Sequence, residues 1–263
     1  MKDMLDEIVT YKRIEVADKK QLIPIKQLER IIEQEPKEHH SLKEALQLSD
    51  SGIISEFKRK SPSKGWIKEG ANAERITMSY EKYGATALSV LTDNKFFGGS
   101  LNDLREVRKA VSIPIMRKEF IIDEYQIYEA ASVGADAILL IAASITKEES
   151  RRFTNLAHTL KMDVLLELHD EKEIHYISDS NLLIGINNRN LGTFVTDVQK
   201  SFMMIDHLPK EAVLVSESGI SSPELVKELR DAGYKGFLIG ENFMKTADPG
   251  ESLGIFISQL KAL

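Results

Sequence analysis

The 263-residue chain has no cysteine, one tryptophan and seven prolines. Without cysteine there is no disulfide framework, thiolate zinc site, iron–sulfur cluster or cysteine nucleophile, and a reducing compartment is the natural setting. No apolar run approaches the roughly 18 residues that a membrane helix needs. The opening MKDMLDEIVTYKRIEV is charged and lacks the apolar core of a targeting peptide. A cytoplasmic protein is therefore expected. Positive charge is in the minority, with 35 Lys and Arg against 41 Asp and Glu and a formal net charge of -6. Such a surface repels polyphosphates, so no nucleic-acid partner is expected and any anion site has to be local. The six histidines, at 39, 40, 158, 169, 175 and 207, show no metal-ligand spacing. They read as ordinary surface residues, and no metal is expected.

Against these absences stand eight short apolar runs: GIISEF (52–57), ALSVL (87–91), PIMRK (114–118), DAILLI (136–141), DVLLEL (163–168), LLIGIN (182–187), AVLVSE (212–217) and GFLIG (236–240). Most are nearly continuous in Val, Ile, Leu and Ala, as parallel strands buried on both faces are. Helical spacing fills intervening segments at 73–83, 101–110, 124–132, 147–160 and 223–232. Three lead-ins, Tyr83-Gly84-Ala85, Val133-Gly134-Ala135 and Ala232-Gly233-Tyr234, place glycine at a helix end, where a left-handed backbone is least strained. Eight βα units close most simply as a (β/α)8 barrel. An open doubly wound sheet is the other solution, but its G-x-G-x-x-G fingerprint is absent. Residues 1–50 stand outside the repeat. Leu5, Ile8, Val9 and Lys12, then Leu42, Ala45 and Leu46, carry helical patterning around a polar loop, EQEPKEHH. We expect a helical extension (1–50) covering one end of a catalytic barrel (51–263), the whole forming a single domain.

In such barrels the site lies where the strands end. The polar strand ends are Glu56 and Lys58, Lys118 and Glu119, Glu167, Asn187 and Arg189, Glu217 and Ser218, and Gly240. Alternation along a strand points Glu56 and Lys58 the same way, and likewise Asn187 and Arg189. Charges so near a core are costly unless paired or functional, and here carboxylates and cations converge on one mouth. Burial and mutual repulsion are expected to lower the pKa of Lys58 and Lys118. Ser218-Gly219-Ile220-Ser221-Ser222-Pro223 and Gly240-Glu241-Asn242 follow strands seven and eight, where barrels often present backbone N–H groups to a phosphate.

The blocks ISEFKRKSPSKG, LSVLTDNKFFGGS, PIMRKEFIIDEYQI, GADAILLIA, LLELHD, IGINNRNL, VSESGI and GFLIGENFM, in this order, resemble those of the indole-3-glycerol-phosphate synthase family. The resemblance spans roughly residues 50 to 245, and the N-terminal segment is similar to the family's extra helices. It implies a carbon–carbon lyase that turns 1-(2-carboxyphenylamino)-1-deoxyribulose 5-phosphate into indole-3-glycerol phosphate, carbon dioxide and water, without cofactor. It further implies that Lys118 is the acid for ring closure and Glu167 the acid/base group for dehydration. Lys58 would hold the carboxylate or assist proton transfer, with Glu56 orienting it, Asn187 bonding the hydroxyl region and Ser218 lying near the phosphate. Ser61, Phe120, Arg189 and Glu217 would contact substrate, Phe120 packing on its ring. Gly219, Gly240 and the backbone N–H of Glu241 would meet the phosphate. Two positions depart from the family pattern, Glu119 and Asn190, where aspartate is usual, and the first leaves the setting of Lys118 open. A likeness to the family also implies a monomer.

In the stretch SEFKRKSPSKGW (55–66), Phe57 and Arg59 should face away from the site, Ser61 should reach an anionic group, and Lys60 should add positive potential at the mouth. Lys64 and Trp66 have no assigned role. Three other functions compete with this reading: a phosphoribosylanthranilate isomerase-like barrel, whose family pairs a cysteine with an aspartate; a Schiff-base aldolase using Lys58 or Lys118; and a non-catalytic phosphate-ligand-binding barrel, which would not require the Lys118 and Glu167 pair.

Overall fold

A computed structural model describes residues 4–35, 38–190 and 192–263. Eight parallel strands form a closed barrel: β1 (Ile53–Phe57), β2 (Ala87–Leu91), β3 (Ile115–Lys118), β4 (Ala137–Ile141), β5 (Asp163–Leu168), β6 (Leu183–Asn187), β7 (Val213–Glu217) and β8 (Gly236–Ile239). Each pairs with its successor, and β8 returns to β1 with Ile53 opposite Phe237. Each strand is an apolar run, shortened by at most its first or last residue. Burial on both faces explains the continuity of these runs. Ile53, Phe57, Leu88 and Val90 pack outward into the helix layer, whereas Ile54, Ala87, Met116, Leu139 and Leu165 fill the interior.

Three helices precede the barrel, α1 (Met4–Leu22), α2 (Ile25–Gln34) and α3 (Leu42–Leu48). The outer layer comprises α4 (Ala73–Lys82), α5 (Leu101–Ala110), α6 (Glu124–Ser132), α7 (Lys147–Thr159), α8 (Gln199–Met204), α9 (Pro223–Ala232), the short α10 (Glu241–Met244) and α11 (Pro249–Lys261). Side-chain caps start most of them, from Asn72, Ser100, Asp123, Thr146, Ser222 and Asp248. Between β5 and β6 the connection is a 3-10 turn, Glu171–Tyr176, and not an α-helix.

The extension covers both ends of the barrel, not one. On α3, Leu42 and Leu46 are fully buried under the strand starts, where Leu46 fills the space left by the missing side chain of Gly236. Asp163, at the start of β5, fixes this helix by accepting from Ser41 Oγ at 2.8 Å and from the Lys43 N–H at 2.9 Å. At the opposite end, Leu5 and Ile8 of α1 join Phe96 and Phe120. Glu33 and Gln34 of the expected loop EQEPKEHH instead complete α2. Pro36 and Lys37 of that loop lie outside the described residues, as does Leu191.

Candidate active site

Side-chain alternation carries the inward face of each strand up to its polar end. Ile54 leads to Glu56 and Lys58, Met116 to Lys118, Leu165 to Glu167, Gly185 to Asn187, and Val215 to Glu217. These ends surround a cavity of about 280 Å3, which Leu91, Leu139, Ile141, Leu238, Phe97 and Phe120 also line. Of the residues expected at the site, Glu56, Lys58, Ser61, Lys118, Phe120, Glu167, Asn187, Arg189, Ser218, Gly219, Gly240 and Glu241 all line it. Glu217 lies beneath, with no exposed surface.

Two ammonium groups organise the floor. Lys118 Nζ donates to Glu217 Oε2 at 2.7 Å and stands 3.5 Å from Glu167 Oε2. Lys58 Nζ donates to Glu56 Oε1 at 2.6 Å. Glycines create the room for these carboxylates. A Cβ on Gly185 would sit 2.3 Å from Glu217 Oε1, and one on Gly240 would sit 2.5 Å from Glu56 Oε1.

Charge at Lys118 runs opposite to expectation. Burial alone would lower its pKa, but Glu217, Glu167 and Glu56 outweigh it and hold the ammonium protonated far beyond the ordinary lysine range. The carboxylates differ among themselves. Burial would raise Glu56, but Lys58 and Lys118 hold it below the usual carboxylate range. Glu167 is likewise drawn down against its burial, by Lys118 and His169. In Glu217, burial, reinforced by the neighbouring Glu167, prevails over Lys118 and pushes the carboxyl up.

His169 corrects the view that all six histidines are surface residues. Its side chain is only 11% exposed, with Nε2 3.1 Å from Glu167 Oε1. Burial disfavours its charge, but Glu167, Glu173 and Glu217 raise its pKa. The signal was available: His169 lies two residues beyond Glu167, the spacing that relates Lys58 to Glu56.

Phe97 and Phe120 form the aromatic wall, their centroids 6.0 Å apart. Opposite, Ser218 and Gly219 adopt successive positive φ values of 69° and 81°, which turn the chain out of β7 toward α9. Positive φ is strained for serine and easy for glycine. Asn188 holds the turn by donating through Nδ2 to the Ser218 carbonyl at 3.1 Å. Gly240 starts α10, so the first N–H groups of that helix open at the same rim. The Glu241 carboxylate is drawn to Lys64 Nζ at 3.0 Å.

The first loop also differs in detail from expectation. Arg59 does face away, in a bidentate pair with Asp103 at 2.7 Å. Lys60 is not at the mouth, because it donates to the Lys95 carbonyl and lies over the Trp66 ring. Lys64 joins this loop to Glu241, and Trp66 covers Gly98. Glu119 turns away from Lys118 to Thr92 Oγ1, at 2.8 Å, and to Lys12, at 3.1 Å. Asn190 accepts from the N–H groups of Gly192 and Thr193 and so closes a local turn.

The architecture has solved counterparts. Tryptophan synthase subunit alpha from Legionella pneumophila superposes with a TM-score of 0.62 at 13% identity, covering 86% of this chain and 98% of that one. At that identity the likeness concerns the fold alone. Sequence comparison goes further. The family model described as indole-3-glycerol phosphate synthase matches residues 5–254. The curated protein of that name from Bacteroides thetaiotaomicron is 58% identical over 261 residues, 99% of this chain and 100% of that one. Its counterpart from Thermoanaerobacter pseudethanolicus is 42% identical over 259 residues, 98% of each chain. Likeness at this level along nearly the whole length means that the chain belongs to the indole-3-glycerol phosphate synthase family, carboxy-lyases of tryptophan biosynthesis.

Proposed function

We propose a division of labour among the pocket residues for the family's reaction, in which 1-(2-carboxyphenylamino)-1-deoxyribulose 5-phosphate gives indole-3-glycerol phosphate, carbon dioxide and water. The observation that carries it is the Lys118 ammonium, held between Glu217 and Glu167 on the floor of a cavity walled by two phenyl rings. The aryl ring packs on Phe120 and Phe97, and the substrate carboxylate meets Lys58. The phosphate takes the Ser218, Gly219, Gly240 and Glu241 backbone N–H groups. Ser61 and Arg189 complete the contacts with the anionic ends, and Asn187 meets the hydroxyls.

Ring closure forms a bond between the ring carbon bearing the carboxylate and the ketone carbon. The carbonyl π electrons move to oxygen, which Lys118 protonates. An ammonium with a raised pKa releases its proton late, so its main effect is to stabilise the developing alkoxide, which is more basic than lysine. Carbon dioxide then leaves, and the electrons of its bond restore the aromatic ring. In the last step the carbon beside nitrogen loses a proton and its neighbour loses hydroxide as water. Glu167 takes this proton and passes it to the departing hydroxide, which leaves as water, while His169 holds the Glu167 carboxylate at 3.1 Å.

We further propose that helical extension and barrel act as one domain, since α1 residues line the pocket, in a cytoplasmic monomer, as the resemblance to the family implies. Purified protein should form indole-3-glycerol phosphate from the aminodeoxyribulose phosphate without added metal, and absence of turnover by folded protein would reject the reading. Under single-turnover conditions, Glu167→Gln should accumulate the hydrated ring-closed intermediate; an undiminished dehydration rate would remove Glu167 from its role.

A further inference from the structure

Lys12, in the middle of α1, is 1% exposed, although a lysine on a surface helix normally keeps its ammonium in water. Its Nζ meets three carboxylates: Asp93 Oδ2 at 2.8 Å, Glu15 Oε2 at 2.8 Å and Glu119 Oε1 at 3.1 Å. Burial works against the charge, but Glu119 and Asp93 overcome it and keep the ammonium protonated.

Two of those carboxylates anchor the loops that carry the aromatic wall. Asp93 Oδ1 accepts the N–H groups of Phe96 and Phe97, at 2.6 and 3.1 Å. Glu119 Oε1 accepts the N–H of Phe120 at 2.9 Å, and Glu119 directly follows Lys118. Asp93 and Glu119 are both buried, so without a cation between them their repulsion would push the loops apart. Arg117, 3.6 Å from Glu119, is already committed to Glu129, Thr92 and the Gln126 carbonyl.

We infer that Lys12 is a positioning residue: through Asp93 and Glu119 it fixes the spacing of Phe97 and Phe120, and with it the approach of Lys118 to the substrate. The inference rests on the reaction proposed above, which turnover by the unaltered protein tests separately. Lys12→Met keeps the stem and removes the ammonium. Lys19→Met removes a neighbouring cation that pairs with Glu15 at 2.7 Å and Glu129 at 3.4 Å but not with Asp93 or Glu119.

At a temperature where both variants are folded by circular dichroism, Lys12→Met should raise KM at least about fivefold and lower kcat, whereas Lys19→Met should leave both near their starting values. Amide hydrogen exchange at Phe97 and Phe120 should accelerate at least about tenfold in Lys12→Met alone. A Lys12→Met protein that melts earlier, with KM, kcat and these two amides unaltered, would overturn the inference. If Lys12→Met does not fold, Asp93→Asn serves instead, because it retains the acceptor for Phe96 and Phe97 and loses the charge facing Lys12. It should raise KM in the same way, and an unchanged KM would overturn the inference equally.

Discussion

At the scale of single residues, Lys118 is the charge on which the floor of the pocket depends. Its ammonium compensates Glu217 and Glu167 directly and Glu56 at longer range. Lys118→Met should therefore do more than abolish turnover, which we expect to fall at least about a thousandfold. It would leave buried carboxylates without their cation, a change that costs about 3–5 kcal/mol where they remain ionised. The sign of the pH dependence follows. Deprived of Lys118, Glu167 would join Glu217 in having a raised carboxyl pKa in the folded state. Such groups contribute stability that is fully present below their unfolded pKa and lost as pH rises through the folded value. Thermal melts from pH 5 to 8.5 should show the gap between the two proteins widening as pH rises, and a constant gap would contradict this account of Glu167 and Glu217. Two residues that matter here were legible only in part. Alternation from Glu167 would have placed His169 beside it. Lys12 occupied an apolar position of the α1 pattern, which is where a lysine needs a buried partner, but the partner carboxylates lie about 80 and 107 residues along the chain, and only folding brings them together.

Among the elements, strands were easier to read than their surroundings. Burial on both faces leaves continuous apolar runs, and all eight runs became barrel strands, each paired on both sides so that closure leaves no edge. The helix α2 was legible as well: Ile25, Leu28, Ile31 and Ile32 fall at helical spacing on one face, with Leu28 buried and the other three half-buried. Where a cap was written in the sequence, the boundary was clear. Thr146 begins α7 with a reciprocal capping box, its side chain accepting the Glu149 N–H while Glu149 accepts the Thr146 N–H. Thr146→Ala should cost about 1 kcal/mol and lower Tm by about 2–4 °C. Because α7 stands outside the barrel wall and its cap does not line the pocket, kcat and KM should not change. A kinetic effect in the folded variant would show that the outer layer is coupled to the site more tightly than its contacts indicate.

For the molecule as a whole, the extension and the barrel divide stability from chemistry along one axis. The formal charge of -6 makes the surface unfavourable to anions in general, while Lys58, Lys118, Arg189 and Lys245 bring cations to the pocket. At the other end α3 inserts Leu42 and Leu46 beneath the strand starts, with Leu46 against the space left at Gly236. Both halves of the extension bury comparable aliphatic side chains, but only α1 reaches the pocket, through Met4, Leu5 and Ile8. Truncating one residue from each end separates the two functions. Leu46→Ala should leave a cavity under the floor that costs about 2–5 kcal/mol and lowers Tm by roughly 5–15 °C, with kcat and KM unchanged where the protein remains folded. Ile8→Ala should also lose stability, but it enlarges the substrate side of the cavity and should raise KM several-fold, about 1 kcal/mol of lost apolar contact. Equal kinetic effects from the two variants would mean that the plug under the barrel reaches the reacting groups through the strands, and the separation of the two ends would have to be abandoned.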